Sequence, residues 1–226
     1  MTVQPTLSTL TQDADLYYLL REFDVAYRYA SNGGSAAIRS HMRRVRDRIS
    51  RVIKENPQVQ YTVPSRVPVN AHLARALDNG EQGNAESFVR AVTKVADRFM
   101  WQYGYEKLPP TLAQKYGYAD VIGPGGLIRA DDIALGFVLF APSCVYPSHK
   151  HDGISESYIV LSGACSQNDM GVFRAPSMIF NAPGTTHTIR TPSTEPVLLA
   201  YAWTAEPQDL AAHKMKFTKQ RKPKPR

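Results

Sequence analysis

The chain has 226 residues, a formal net charge of +7 and a hydrophobic content of 43%. This composition is typical of a folded globular protein and excludes a largely disordered or fibrous chain. Seven Lys and Arg residues and no acid lie between Lys214 and Arg226, so residues 1–213 are neutral overall. The positive charge therefore belongs to a C-terminal tail and does not by itself indicate a nucleic-acid-binding domain.

The first half of the chain carries the pattern of amphipathic helices. Apolar residues recur at intervals of three and four over four segments, which are Asp13–Tyr29, Ser35–Glu55, Asn70–Asp78 and Ala85–Tyr103. The second segment is rich in arginine, but it lacks interleaved aromatic residues, which favours a solvated face over a DNA contact. Residues 1–125 are predicted to form a helical N-terminal region.

A different pattern begins near residue 126. Short apolar runs are separated there by Gly, Pro, Asn and Asp, and the runs are Ala134–Phe140, Glu156–Leu161, Ser177–Phe180 and Pro196–Trp203. Such spacing predicts a β-sandwich or a closed barrel. We therefore predict an α+β fold with a β-barrel over residues 126–210, the helical region packed against it, and a basic, disordered tail over residues 211–226.

The sequence also favours a cytoplasmic location. The N-terminus lacks the basic start and long apolar core of a secretory signal, and the longest apolar run, Ile133–Ala141, is about half of what a membrane-spanning helix needs. In a reducing compartment Cys144 and Cys165 are expected to be small buried side chains rather than a disulfide.

Three histidines and one glutamate have the spacing of a metal site. Because residues two apart on a strand share a face, His149 points the same way as His151, and Glu156 the same way as Tyr158. The segment 152–155 between the pairs has turn character and could fold the second strand back beside the first. His187, after another turn, completes a nitrogen and oxygen set suited to one divalent Zn, Fe, Mn or Ni ion. We interpret the other three histidines as ordinary structural residues: His41, His72 and His213.

The segment from His149 to Gly163 resembles the first cupin motif, HxH-x(3,4)-E-x6-G, without a gap. The second motif, G-x5-PxG-x2-H-x3-N, is matched more loosely, because Pro183 and Gly184 are adjacent and Arg190 stands where Asn is usual. His187 keeps its place in that motif. The resemblance covers roughly residues 130–205 and implies a cupin β-barrel, or jelly roll.

A closer resemblance covers Tyr146 to Gly163, the segment 166–169 and the helical first half. These features are similar to the cupin-type dimethylsulfoniopropionate lyases of the DddL and DddQ branch, in which tyrosines flank the metal. That family cleaves dimethylsulfoniopropionate to dimethyl sulfide and acrylate by β-elimination. The resemblance implies that the metal binds the substrate carboxylate, that Tyr158 is the general base, and that Tyr146 is the second candidate for that role.

The expected partner is a small zwitterionic substrate, with no nucleic acid and no membrane insertion. A homodimer is an arrangement that the amphipathic N-terminal helices allow. Two alternatives stay open at this point: another mononuclear metal cupin enzyme, such as a dioxygenase or isomerase, or a non-catalytic cupin that binds a small ligand.

Overall fold

The computed structural model describes residues 8–29, 34–60, 62–105 and 107–211. Within these ranges six α-helices are present: α1 (Ala14–Tyr29), α2 (Ala36–Glu55), α3 (Leu73–Glu81), α4 (Glu86–Val95), α5 (Pro110–Ala113) and α6 (Pro207–Ala211). The strands are β1 (Tyr116–Ile122), β2 (Ile133–Phe140), β3 (Val145–His149), β4 (Ser155–Ser162), β5 (Ala164–Gln167), β6 (Val172–Arg174), β7 (Met178–Asn181), β8 (His187–Arg190) and β9 (Val197–Thr204). The predicted basic tail lies, from residue 212 onward, outside the described residues.

The strands form two antiparallel sheets rather than one closed barrel. One sheet has five strands in the order β1-β2-β9-β4-β7, and the other has four in the order β3-β8-β5-β6. Apolar side chains of both sheets meet in one buried cluster, which includes Val160 on β4 and Ile189 on β8. This double-sheet arrangement is that of a jelly roll, so the predicted α+β fold with C-terminal strands in a jelly roll is confirmed, with two facing sheets in place of a closed barrel.

The helices cover the outer face of the five-stranded sheet. All eight residues of β2 and of β4 are buried, because one face of each strand meets the other sheet and the opposite face meets the helices. Phe23 on α1 packs against Phe88 on α4 and Phe137 on β2, with ring centroids 4.8 and 5.6 Å away. The predicted packing of the helical region against the strands is therefore confirmed.

The first two helix predictions are accurate, whereas the third is displaced, because α3 covers Leu73–Glu81 instead of Asn70–Asp78. The carboxylate of Asp13 accepts a hydrogen bond from Leu16 N at the start of α1, and Ser35 caps α2. The fourth predicted helix, Ala85–Tyr103, is wrong beyond residue 98. There the chain becomes extended, because Gln102 exchanges two backbone hydrogen bonds with Tyr118 and so lies along the edge of the sheet.

Two strand expectations also need correction. The range 1–125, which is predicted to be helical, also contains a strand of the sheet, because β1 pairs with β2. The boundaries at residues 125 and 210 stay a prediction. The turn at 152–155 does not fold β4 beside β3, because β3 pairs with β8 in one sheet while β4 pairs with β7 and β9 in the other.

A glycine in the middle of β2 allows a tyrosine to cross the sheet. Gly136 pairs with Asp120 on one side and Tyr201 on the other. A Cβ at this position would overlap with the Ala119 carbonyl oxygen and lie 2.8 Å from the ring of Tyr201. The absent side chain lets the Tyr201 hydroxyl donate a hydrogen bond to Asp120.

We expect Gly136→Ala to lower the free energy of unfolding by about 1–3 kcal/mol, because the overlap is with backbone that cannot move aside cheaply. Gly83→Ala, whose added Cβ would meet its nearest atom at an ordinary 3.5 Å, is the matched control. Urea unfolding of both variants checks the difference, and equal stability of the two would contradict the packing described here.

The two cysteines have the surroundings that the sequence predicts. Cys144 and Cys165 are buried and free. No helix in the described ranges combines the length and apolar character that crossing a bilayer requires.

Candidate active site

The inner face of β4 presents a carboxylate and a phenol to the space between the sheets. Side chains alternate along the strand, so Glu156 and Tyr158 face inward while Ser157 faces the helices. Both inward residues are buried, at 0% and 4% exposure. The strand therefore carries an ionisable pair into the interior of the jelly roll.

The opposite sheet supplies the imidazoles. His149 at the end of β3 is the cross-strand partner of His187 at the start of β8, and their ring centroids are 4.1 Å apart. His151 follows in the connection from β3 to β4, and the Gly184 N–H donates to its backbone carbonyl at 2.8 Å. All three rings are buried, and their candidate donor atoms lie within 4.8 Å of one another.

Backbone carbonyls orient two of the rings. His149 Nδ1 lies 2.8 Å from the Pro147 carbonyl oxygen, and His187 Nδ1 lies 3.0 Å from that of Thr185. A proton on Nδ1 donates to each carbonyl and leaves the Nε2 lone pair available, which is the usual second-shell arrangement around a metal-binding histidine. His149 Nε2 is buried without a hydrogen-bond partner among the described residues. These three histidines could hold a metal ion.

The Glu156 carboxylate stands beside two of these rings. Its Oε2 lies 3.0 Å from His187 Nε2, and its Oε1 lies 3.3 Å from His151 Nε2. The Tyr158 hydroxyl and Trp203 Nε1 each donate to Oε1 at 2.7 Å, and Asn181 Nδ2 donates to Oε2 at 2.9 Å. The carboxylate is thus fixed in position from both sides.

Charge and burial set the protonation states at this site. Burial raises the pKa of the Glu156 carboxyl, but His151 and His187 outweigh that effect and hold the pKa well below its usual range. Burial lowers the pKa of His149 to about 3, which keeps that ring neutral. An ionised carboxylate and a neutral imidazole are the forms that bind metal cations.

The two predicted tyrosines occupy different surroundings. Tyr158 Oη is hydrogen-bonded to Glu156, whereas Tyr146 Oη accepts a hydrogen bond from the Tyr105 hydroxyl at 2.9 Å. The ring of Tyr146 meets that of His149 edge-on, with centroids 4.6 Å apart. All six residues proposed from the sequence therefore lie in one buried region: His149, His151, Glu156, His187, Tyr158 and Tyr146.

The chain matches a family model described as dimethylsulfoniopropionate lyase over residues 41–199. It is also 50% identical over 208 residues to a Cereibacter sphaeroides protein whose name assigns it to the dimethylsulfoniopropionate lyases as DddL, covering 92% of this chain and 90% of that protein. The chain belongs to the dimethylsulfoniopropionate lyase family. The predicted membership of this family, and with it the assignment as a lyase, is confirmed.

Solved structures show that the whole described fold of this lyase is shared. DddQ from Ruegeria pomeroyi DSS-3 superposes with a TM-score of 0.67 at 19% identity, covering 91% of this chain and 97% of that one. A second solved structure, described under dimethylsulfoniopropionate lyases RdDddP and RnDddQII, superposes with a TM-score of 0.65 at 15% identity. The superposition covers 92% of this chain and 99% of that one. The helical half is therefore part of the common architecture together with the jelly roll.

Residues that the sequence pattern did not single out complete the site of the lyase. Asn181 is the cross-strand partner of Glu156 on β7, and Trp203 is its partner on β9. Asn181 carried no signal in the sequence, because strand pairing across 25 positions is not visible in a local pattern. Together they hold the carboxylate that Tyr158 also contacts.

His41 lies outside the site and contacts the helix-facing side of β4, the strand that carries Glu156. His41 on α2 lies 2.8 Å from Ser157 Oγ, which also lies 2.7 Å from the Tyr27 hydroxyl. His41 is fully buried, and burial lowers its pKa to about 4. The interpretation of His41 as a structural residue of this lyase is thereby confirmed, and its network ties α1 and α2 to the strand that carries Glu156.

Proposed function

We propose that this lyase cleaves dimethylsulfoniopropionate to dimethyl sulfide and acrylate by β-elimination. The observation that carries the proposal is the meeting of three buried imidazoles with the Glu156 carboxylate and the Tyr158 hydroxyl between the sheets. The names of the DddL and DddQ relatives support the same substrate. The dioxygenase, isomerase and non-catalytic alternatives have no comparable support.

His149, His151, Glu156 and His187 are the proposed ligands of one divalent transition ion. Three imidazoles and one carboxylate suit Zn, Fe, Mn or Ni and leave coordination positions for a substrate. When bound, the ion supplies positive charge that stabilises the substrate carboxylate as negative charge develops on it, and that favours the phenolate form of a nearby tyrosine.

Tyr158 is the proposed general base. Its Oη takes the proton from the carbon next to the substrate carboxylate, and the electron pair of that C–H bond forms the double bond of acrylate. The C–S bond breaks, and its electron pair leaves on sulfur as dimethyl sulfide. Burial and the Glu156 carboxylate raise the pKa of Tyr158 in the structure, so the base requires the positive charge of the metal centre.

Tyr146 is the second candidate for the base. Its hydroxyl lies in a cluster with Tyr105 and Tyr116, and burial together with these phenols raises its pKa well above the usual value. The Tyr105 hydroxyl donates to Tyr146 Oη, whereas Tyr158 Oη donates to the Glu156 carboxylate. This arrangement favours a role for Tyr146 in packing against His149 and in binding substrate.

The direct test is incubation of the purified protein with dimethylsulfoniopropionate, with the headspace sampled for dimethyl sulfide and the solution for acrylate. We expect both products in equal amounts and no consumption of dioxygen. Oxygen uptake coupled to turnover would favour a dioxygenase, and the absence of both products at saturating substrate and metal would reject the lyase assignment.

The hydrogen bond from Asn181 to the Glu156 carboxylate gives a further prediction. Because Asn181 Nδ2 donates to Glu156 Oε2, we expect Asn181→Ala to weaken metal binding by about 10- to 100-fold. Asn79→Ala on α3, away from the site, is the control and should bind metal as the wild type does. Competition with a chromophoric chelator measures the affinities, and an unchanged affinity in Asn181→Ala would argue against Glu156 as a ligand.

A further inference from the structure

The space beside the proposed base is too small for a whole substrate. A void of about 20 Å³ lies between the sheets, walled by Val138 and six aromatic residues: Tyr116, Tyr118, Tyr146, Tyr158, Tyr201 and Trp203. Such a volume holds about one water molecule. Part of any larger ligand must therefore extend beyond it.

A second cavity shares two of these lining residues. Its volume is about 270 Å³, and Tyr118 and Trp203 line both spaces. The other lining residues come from the extended segment before β1, from β1 and β2, from the loop after β1 and from α6: Gln102, Gly104, Asp120, Pro124, Gly125, Ala134 and Leu210. Among the described lining residues of this outer cavity, Asp120 is the one that carries a charge, and none is Lys or Arg.

Asp120 lies in a row of cross-strand residue pairs that also contains Tyr158. In that row Tyr158 pairs with Tyr201, Tyr201 with Gly136, and Gly136 with Asp120. The Tyr201 side chain passes over Gly136, and its hydroxyl donates a hydrogen bond to Asp120. The register of β1 shifts between Asp120 and Ile122. Irregularities of this kind often redirect a side chain next to an active site.

Asp120 carries negative charge at neutral pH. Burial raises the pKa of its carboxyl to about 6, against the lowering effect of the Tyr201 hydrogen bond, so the ionised form predominates at pH 7. An anion beside aromatic faces, with no cation among the described lining residues, is complementary to an onium cation. Aromatic faces attract onium cations through their electron-rich π systems, and a carboxylate adds direct charge attraction.

We propose that the outer cavity is the subsite for the sulfonium group of the substrate, with Asp120 as its counter-ion and Tyr118 and Trp203 as its aromatic walls. The assignment rests on the proposed function. Trp203 also donates to Glu156, so the wall that contacts the cation is the one that borders the metal centre. A zwitterion then binds in one direction, with its carboxylate at the histidines and its onium group at Asp120.

The negative charge of Asp120 also favours release of the sulfur product. Elimination converts the onium group into neutral dimethyl sulfide, which has no charge attraction to the Asp120 carboxylate. Substrate is therefore bound at this subsite more strongly than the sulfur product.

Tetramethylammonium is the probe for the subsite, and tert-butanol, which is similar in shape and neutral, is its control. We expect Asp120→Asn to raise the Kd of tetramethylammonium about tenfold, which corresponds to the loss of one partly exposed charge contact, without affecting tert-butanol. Asp120→Glu should restore much of the affinity. Asp131→Asn, which removes an exposed acid on the adjoining loop, should match the wild type. Calorimetry measures binding, and melting temperatures verify folding.

Kinetics with dimethylsulfoniopropionate provide the second readout, in which Asp120→Asn raises KM about tenfold with a smaller change in kcat. An Asp120→Asn protein with wild-type KM and wild-type tetramethylammonium affinity overturns the subsite while the lyase assignment stands. Binding of tetramethylammonium that depends on Asp120, in a protein that releases no dimethyl sulfide, supports the subsite and rejects the proposed function instead. Equal weakening of tetramethylammonium and tert-butanol by Tyr118→Leu would overturn the cation–π contribution.

Discussion

Tyr158→Phe is expected to abolish measurable release of dimethyl sulfide, with kcat lowered by about 10²- to 10⁴-fold, the range for loss of a general base. The substitution removes one oxygen and keeps the buried ring, so the inner face of β4 stays packed. Trp203 Nε1 still donates to Glu156 Oε1 at 2.7 Å, which preserves the orientation of the carboxylate. Metal content per chain, measured by elemental analysis, is therefore expected to equal that of the wild type.

Tyr146→Phe is the matched comparison, because it removes a buried hydroxyl of the same kind that is hydrogen-bonded to Tyr105 instead of to Glu156. We expect a smaller loss of kcat in this variant and full metal content. The reverse outcome, with turnover retained in Tyr158→Phe and lost in Tyr146→Phe, would transfer the role of base to Tyr146. Turnover retained in both variants would exclude a phenol from the proton transfer.

Local patterns in the sequence were sufficient to predict the long helices, the strands β2, β4, β7 and β9, and the three histidines, the glutamate and the two tyrosines first proposed for the site. The three- and four-residue periodicity located α1 and α2 to within one residue at their starts, because each helix buries one continuous apolar stripe. In the HxH-x4-E motif, His149, His151 and Glu156 lie close together in the sequence, so a short pattern contains all three. These signals depend on neighbours within a few positions.

Features that depend on long-range pairing could not be predicted in the same way. The edge strand β1 lies within the range predicted to be helical, since its two backbone partners, β2 and the segment around Gln102, are defined only in the folded sheet. For the same reason the sequence suggested that β3 and β4 are adjacent, although the chain passes from one sheet to the other between them. Turn residues indicate that the chain changes direction, but they do not specify which sheet it joins.

The contacts around Glu156 illustrate the same limit inside the site. Asn181 and Trp203 reach the carboxylate because β7 and β9 flank β4, and Asp120 enters the region because Gly136 leaves room for Tyr201. An isolated Asn, Asp or Gly in a strand has many structural explanations. Each of these residues gains its meaning only from the register of three or four strands.

His187→Ala is expected to lower metal content well below one ion per chain and to reduce turnover by about 10³-fold or more, since a Lewis acid contributes several kcal/mol to stabilisation of the developing charge. The variant leaves His149 and His151 but removes the imidazole 3.0 Å from Glu156 Oε2. His72→Ala, at a partly exposed histidine outside the site, is the matched control and should retain both metal and turnover. Chelation of the wild type followed by addition of Zn, Fe, Mn or Ni salts shows which ion restores activity.

A second explanation of the same contacts makes this test decisive. Glu156 also acts as an ion-pair partner of His187, whose pKa burial lowers but the carboxylate raises further, so that the net shift is upward. If the pair were only structural, His187→Ala would leave His151 as the remaining imidazole beside Glu156 and lower the melting temperature, because removing one partner of a buried ion pair costs up to about 3–5 kcal/mol, while metal content stayed the same. A metal centre instead predicts that saturating metal raises the melting temperature of the wild type and has a much smaller effect on His187→Ala.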